Sequence, residues 1–300
     1  MNKTIPQIIE LIQQQNPLHA KKLKRNLKSL SEDNVVHYQL FVDKYETYLK
    51  NIDKNLDFAV DSYLKMISDF VLEQLRFIET GKYSNTSFEE VNNRVYNNPK
   101  VMEYFMNGLL LSQVLWKHHY LIYSFFTKNF PTYTKNIKNY LEIGGGHGLF
   151  ISHAIDVLPV GTKFSLLDIS PTSIEISKNF IGKSNVNYIL ENIFNFEINQ
   201  KYDFITMGEV LEHVENPVEL LVKLKNLLND LGTIFITTPT NAPSIDHIYL
   251  FSNAEEIRSI IDAAGLTVVD DIKAYAEDLP EEKAIELKIT MMYGCFLRKQ

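Results

Sequence analysis

Apolar residues recur along this chain at two spacings, and the rhythm changes near residue 135. Before that point it is helical. Val60, Tyr63, Leu64, Ile67, Phe70, Val71, Leu75 and Ile78 repeat every three to four residues, which predicts an amphipathic helix with that stripe turned inward. Asn98-Pro99 reads as a capping residue before proline at the first helical position, where the missing N–H costs nothing. It opens an apolar-aromatic stretch through Phe105, Leu109, Val114, Trp116, Tyr120 and Tyr123, and Pro131 is expected to close that region. Ser87 with Glu90 three residues on fits a capping box.

From Asn139 short apolar runs alternate with helical stretches. The runs predict strands over 140–144, 163–168, 186–193, 202–207 and 232–238. Ser170-Pro171 and Asn216-Pro217 mark two helix starts. Two more β-like runs follow, over 266–275 and 285–297. This alternation predicts an α/β fold with a mostly parallel sheet covered on both faces. The chain divides into a helical domain over 1–135 and an α/β domain over 136–300. Glycine, which supplies the tight turns α/β folds need, follows the same division, with ten of the 12 at position 144 or later.

The composition is that of an ordinary globular protein, at 45 % apolar and 22 % charged residues, which excludes a disordered or coiled-coil chain. Net charge is −7, so duplex nucleic acid is not an expected partner. Cys295 is the single cysteine, which rules out a disulfide within the chain and fits a reducing, cytoplasmic setting. Residues 1–30 hold no signal-peptide pattern, and no run of 18 apolar residues exists to span a membrane. The cluster Lys21-Lys22-Leu23-Lys24-Arg25 reads as the solvated face of a helix in preference to a patch for phosphate or an anionic partner.

The first chemical motif is Leu141-Glu142-Ile143-Gly144-Gly145-Gly146-His147-Gly148, at the junction of a strand and a helix. Glycines let the backbone turn sharply and come close to a ligand, and a helix N-terminus favours negative charge. Twenty residues after Gly148 the second strand ends in Asp168, an acid placed to accept hydrogen bonds from both hydroxyls of a ribose. Together they predict an adenosine-type cofactor. A dinucleotide fingerprint would need glycine three residues after Gly146, where Leu149 stands, and the Gly-Lys-Ser/Thr of a P-loop is absent.

The pattern acid-x-Gly-x-Gly-x-Gly, with Glu142 as the acid, resembles motif I of the class I S-adenosylmethionine-dependent methyltransferases, and the resemblance spans roughly 137–299. It implies a Rossmann-like seven-stranded sheet ending in an antiparallel hairpin. It implies that Glu142, Gly144, Gly145, Gly146 and Gly148 hold the methionine end of the cofactor and that Asp168, with Ile169, holds the ribose. At the adenine position the family usually has Asp; this chain has Glu191-Asn192-Ile193-Phe194, so Asn192 and Ile193 take that place.

After the fourth strand stands Gly208-Glu209-Val210-Leu211-Glu212-His213. If Glu209 to His213 begins a helical turn, Glu209, Glu212 and His213 share one face. Two carboxylates and an imidazole in a cleft make either a metal site or an acid/base cluster. The Glu-x-x-Glu-His cluster resembles the ubiquinone-biosynthesis O-methyltransferases. With His247 and Ser252 of Asp246-His247-Ile248-Tyr249-Leu250-Phe251-Ser252 downstream, it also resembles the small-RNA 2′-O-methyltransferases. That resemblance implies Glu209, Glu212, His213 and His247 as ligands of a divalent cation (Mn, Fe, Co, Zn or Mg), with Glu209 also beside the methionine end. The metal-free alternative makes His213 or His247 the general base, with Glu212 in support. A structural role for either His is the third reading.

The expected activity is S-adenosylmethionine-dependent O-methylation of a small molecule with neighbouring oxygens, such as a catechol, a vicinal diol or an α-hydroxy acid. The alternatives are metal-free N- or C-methylation, RNA 2′-O-methylation, and a cofactor-binding partner without catalysis. The helical domain is expected to cap the acceptor pocket and to offer a homodimer surface. Trp116-Lys117-His118-His119-Tyr120 is its candidate lining, with at most one of the adjacent His118 and His119 facing inward.

Overall fold

A computed structural model of the chain describes residues 3–28, 32–182, 185–197 and 200–300. Its helical part runs α1 (Thr4–Gln15), α2 (Pro17–Lys28), α3 (Glu32–Asn51), α4 (Leu56–Thr80), α5 (Phe88–Val91), a π-helical turn (Asn92–Tyr96), α6 (Pro99–Leu115) and α7 (Lys117–Tyr133). Asn98 caps α6 as expected, its Oδ1 accepting the Lys100 N–H at 3.2 Å. The capping box at Ser87 does not form; the Phe88 N–H donates to Glu215 Oε1 at 2.7 Å instead. Trp116 stands in extended backbone and splits the aromatic stretch into two helices. Pro131 lies inside the last turn of α7, where it gives up one hydrogen bond with no further turns to disrupt.

On α4 the inward stripe is narrower than the periodicity predicts. Val60 and Tyr63 are buried, but Val71, Leu75 and Ile78 are more than half exposed. The buried row continues instead through Met66, Glu73 and Phe77. Glu73 is tolerated there because Arg76 and Ser84 both donate to its carboxylate.

The α/β part runs β1 (Asn139–Ile143), α8 (Leu149–Val157), β2 (Lys163–Asp168), α9 (Pro171–Ile181), β3 (Val186–Leu190), β4 (Tyr202–Gly208), α10 (Pro217–Leu227), β5 (Leu228–Thr240), α11 (Ala254–Ala263), β6 (Leu266–Tyr275), α12 (Glu281–Glu286) and β7 (Met291–Lys299). The seven strands stand in the order β3-β2-β1-β4-β5-β7-β6, parallel except for β7, which pairs antiparallel with both β5 and β6. Ser170 and Asn216 cap α9 and α10, each before its proline. The run predicted over 285–297 begins too early. Ile285 belongs to α12, whose first turn carries Glu281 and Glu282 in keeping with the helix dipole, and the strand starts at Met291.

The pleat sends alternate strand residues to opposite faces. Leu141, Ile143, Ile234, Ile236, Cys295 and Leu297 pack under α10 and α11. Tyr140, Phe204, Phe235 and Phe296 pack under α7 and α8, against Ile122, Phe126, Phe130 and Phe150. The helical core also takes in Leu149 of α8, Ile176 and Phe180 of α9, and Ile245, so it continues into the α/β half. Among the described residues, no helix is long and apolar enough to cross a membrane.

Candidate active site

A cavity of about 570 Å³ opens at the carboxyl ends of β1, β2 and β4, beneath α2, α4, α6 and the start of α7. That volume suits a small-molecule site, and the carboxyl edge of a parallel sheet is where such sites lie. Glu142, Gly144, Gly145, Gly146, Asp168, Ile169, Asn192, Ile193 and Glu209 all line it. Gly148 does not; it stands at the N-cap of α8 with φ +73°.

Glycine is required in the loop by its packing. Gly144 has φ +63°, and a Cβ there would come within 2.3 Å of Val210 Cγ2. The Gly146 N–H donates to Asp168 Oδ2 at 2.9 Å, and the Ser170 N–H to Oδ1 at 2.8 Å. The Ile169 N–H also hydrogen-bonds to this carboxylate, which leaves part of its four-lone-pair capacity for ribose hydroxyls. Burial raises the Asp168 pKa to about 6. Glu142 is buried on β1, where its Oε2 accepts the Ile151 N–H, and burial raises its pKa to about 8. Asn192 Oδ1 accepts the Phe194 N–H at 3.0 Å, leaving its amide N–H groups for a ligand.

Glu209 sits at the end of β4 with φ +53°, a left-handed conformation rare for a residue with a Cβ. Only Leu211–His213 then form a turn, and it is 3₁₀. The expected α-helical face shared by Glu209, Glu212 and His213 therefore does not exist. Donor atoms of Glu212, His213 and His247 do converge within 4.8 Å of one another, and Glu209 is not in that group.

The protonation pattern around these three groups is informative. Glu212 is fully buried; its Oε2 accepts from Thr238 Oγ1 at 2.8 Å, and its Oε1 has no hydrogen-bond partner. His247 Nδ1 donates to the Ala242 carbonyl at 2.6 Å, so the Nε2 of the neutral ring carries a lone pair, 3.9 Å from Glu212 Oε1. His213 Nδ1 lies 3.0 Å from the Asp246 carbonyl and 2.8 Å from the Tyr96 hydroxyl; donation to the carbonyl leaves its Nε2 lone pair 3.6 Å from the same Oε1. Burial raises Glu212 to about 7 and Glu209 to about 8. Burial alone would lower His213, but Asp246 and Glu212 outweigh it and hold its pKa above the usual value. Burial, reinforced by His213, lowers His247 to about 4. Three carboxylates thus crowd a buried cluster that calls for positive charge.

Several site residues were not predicted from sequence. Tyr96, from the π-helical turn, reaches His213, and Thr238 holds Glu212. Asn85 donates to the carbonyls of Ser244, Ile245 and His247, Arg94 to that of Ile245, and Tyr83 accepts the Ala242 N–H. Apart from Thr238 on Glu212, 26 positions apart, these contacts span well over one hundred positions, and no local pattern announces them. Only the π-helical turn, a feature often found at functional sites, is a signal of a kind, and it is visible only in the structure. His118 and His119 are both buried and both line the cavity, against expectation. They open α7 directly after the break at Trp116, where the cavity wraps around the helix start.

The family model for a methyltransferase domain matches residues 115–271, just over half of the chain. The chain therefore belongs to the methyltransferase-domain family. It is 34 % identical over 106 residues to a malonyl-[acyl-carrier protein] O-methyltransferase of Ilyobacter polytropus, covering 35 % of this chain and 39 % of that protein. It is 30 % identical over 131 residues to the mitochondrial ubiquinone biosynthesis O-methyltransferase of Dictyostelium discoideum, covering 40 % of each. The chain thus spans only about two fifths of the length of these curated relatives. In fold it is similar to mitomycin 7-O-methyltransferase, with TM-score 0.54 at 13 % identity over 77 % of this chain and 68 % of that one. It is also similar to the N-methyltransferase NodS of Bradyrhizobium japonicum in complex with S-adenosylhomocysteine, with TM-score 0.50 at 14 % identity over 72 % and 99 %. The seven-stranded sheet is that of the class I methyltransferases.

Proposed function

We propose that this chain methylates an oxygen of a small molecule bearing neighbouring oxygens, with a divalent cation held by Glu212, His213 and His247. The observation that carries this reading is Glu212 Oε1. It is an unpartnered, fully buried carboxylate oxygen faced by two imidazole Nε2 atoms whose Nδ1 atoms are engaged by backbone carbonyls. A cation there would displace the protons that the raised Glu212 and His213 hold and would take one electron pair from each of the three groups. Two His and one Glu favour Mn, Fe, Co or Zn over Mg. Such a cation lowers the pKa of an acceptor hydroxyl and favours acceptors with two adjacent oxygens. The relatives named for malonyl-[acyl-carrier protein] and for ubiquinone biosynthesis are both O-methyltransferases, which favours oxygen over nitrogen or carbon.

When bound, S-adenosylmethionine supplies a sulfonium methyl open to in-line displacement. In this reading Glu142 and the loop Gly144–Gly148 take its methionine end, Asp168 and Ile169 the ribose, and Asn192 and Ile193 the adenine. Glu209, left outside the cation group, belongs to the cofactor side. Tyr96 and the Asp246 carbonyl orient His213, and Thr238 orients Glu212. The helices of residues 1–135 cap the acceptor side and shield the reaction from water. A nucleic-acid acceptor fits poorly with a net charge of −7 and a cavity walled by Phe70, Phe105 and Trp116. The enzyme is taken to work in the cytoplasm. The exposed row Val71, Leu72, Leu75 and Ile78 on α4 is the surface for a homodimer, which sedimentation of the wild type against Leu72→Glu/Leu75→Glu tests.

The central test is elemental analysis of the purified protein beside turnover of a catechol with labelled S-adenosylmethionine, before and after chelation. Stoichiometric metal and chelator-sensitive activity are expected. Full activity in metal-stripped protein overturns the cation and leaves His213 or His247 as proton acceptor. No methyl transfer under any condition leaves the cofactor-binding partner.

A further inference from the structure

The cavity has a second polar region, on the helical side and away from the Glu212 cluster's own hydrogen-bond network. There α7 begins without a side-chain cap, since Trp116 occupies the N-cap position. His118 in the first turn is 7 % exposed and lines the cavity, yet neither ring nitrogen has a hydrogen bond among the described residues. Its ring stacks on Trp116, with centroids 5.3 Å apart and an interplanar angle of 29°. Lys22 of α2 lines the same region, close enough for its charge to lower the His118 pKa further after burial has brought it down. Lys22 is bonded to Glu277, and Arg25 lies 4.0 Å from the same carboxylate. Lys117 is matched separately by Asp278 at 2.5 Å. Among the described residues two cations therefore share one acid, Glu277, leaving a surplus positive charge beside a neutral imidazole and a helix N-terminus, both able to donate to an oxyanion. Between this region and the glycine loop the wall is aromatic, with Phe70 packed on Phe105 and Trp116.

We propose that Lys22 and His118, at the start of α7, form a subsite for the carboxylate of an aromatic acid, so that the acceptor is anchored by a negative group on the helical side of the cavity. This gives Lys22 of the basic α2 cluster a recognition role beyond that of a solvated helix face. It rests on reading the cavity as the acceptor site, but it does not depend on the cation. Glu277 is the resident counter-ion that the carboxylate displaces from Lys22.

Trp116 is the only tryptophan of the chain, so intrinsic fluorescence reports on this subsite. The test titrates the full chain with benzoate and with the isosteric neutral benzamide, in the presence of chelator. Binding of S-adenosylhomocysteine to each variant, measured by calorimetry, tests the methyltransferase site separately. Benzoate is expected to half-saturate at a concentration at least tenfold below benzamide. Lys22→Met should erase that preference. His118→Phe, which keeps the stacked ring, should weaken benzoate at least threefold and leave benzamide unchanged. Glu277→Gln should strengthen benzoate, because it removes the competing carboxylate. Equal half-saturation of the two probes in the wild type overturns the proposal. So does Glu277→Gln weakening benzoate as Lys22→Met does, since a purely structural ion pair predicts the same sign for both.

Discussion

The proposed cofactor side of the cavity comes, Glu209 apart, from residues 142–193, carried by three consecutive strands and the loops behind them, whereas the proposed cation side draws on separate segments from Tyr83 to His247. The first is local. Gly146 and Ser170 reach Asp168 across short stretches of chain, and the strand register brings them together. The second is long-range. The loop bearing His247 is held by Asn85 and Arg94 from the helical half, and by the Glu212 carbonyl, which accepts the N–H groups of Ile248 and Tyr249. The cofactor side can therefore survive changes that dismantle the cation side. The helical residues help to hold the Glu212–His213–His247 cluster as well as to cover it.

The sharpest way to separate the two sides is Glu212→Gln. An amide cannot replace the unpartnered carboxylate oxygen as an anionic ligand, so metal content should fall below one tenth of wild type and turnover by at least a hundredfold. Affinity for S-adenosylhomocysteine should stay within threefold. Elemental analysis, labelled-methyl transfer and calorimetry read the three quantities, and parallel loss of all three would join the two sides into one.

Asp168→Ala attacks the other side. Charge-assisted hydrogen bonds contribute about 1.5–3 kcal/mol each, so losing those to the ribose should weaken S-adenosylmethionine binding at least tenfold. The Gly146 and Ser170 N–H groups lose their acceptor as well, so Asp168→Asn, which keeps an oxygen there, should weaken binding less. Metal content should be unchanged in both, as measured on the same protein preparations.

Tyr96→Phe tests whether the helical half contributes to catalysis. Removing the hydroxyl 2.8 Å from His213 Nδ1 should lower turnover about five- to twentyfold, a cost of roughly 1–2 kcal/mol for a buried hydrogen bond. Cofactor affinity and the thermal midpoint should barely move. An unchanged turnover number would confine Tyr96 to packing.

The smallest effect is on stability against pH. The Glu142 pKa is about 8 in the folded protein, against an ordinary value of 4.5. A raised folded pKa means that the folded state holds the proton more tightly, so this contribution is complete below pH 4.5 and is lost as pH rises to about 8. Between pH 6.5 and 8 the thermal midpoint of the ligand-free protein should fall by a few degrees. Glu142→Gln, which titrates nothing, should lessen that slope, Glu209 and Glu212 supplying the rest, and scanning calorimetry across the window would show an unchanged slope if burial of Glu142 were irrelevant.

Alternating apolar runs and two Ser/Asn-Pro helix starts were sufficient, from the amino-acid sequence alone, for an α/β fold with a mostly parallel sheet, and the resemblance carried by the acidic glycine loop added the seventh strand and the final hairpin. Each of those signals acts over one strand, one turn or one βα unit, within which backbone sterics and side-chain period decide the outcome. The exposed Val71, Leu75 and Ile78 lie beyond that reach, because helical period marks an apolar row without saying which neighbour covers it. So does the left-handed backbone at Glu209, which removes that carboxylate from the helical face its spacing promised. Tyr96 on His213, Asn85 on the His247 loop and Lys22 at the start of α7 exist only because packed cores bring distant segments within hydrogen-bond or charge range. Local sequence determines which element forms and which groups it carries; burial and long-range contact alone decide which of those groups face one another in a shared cavity.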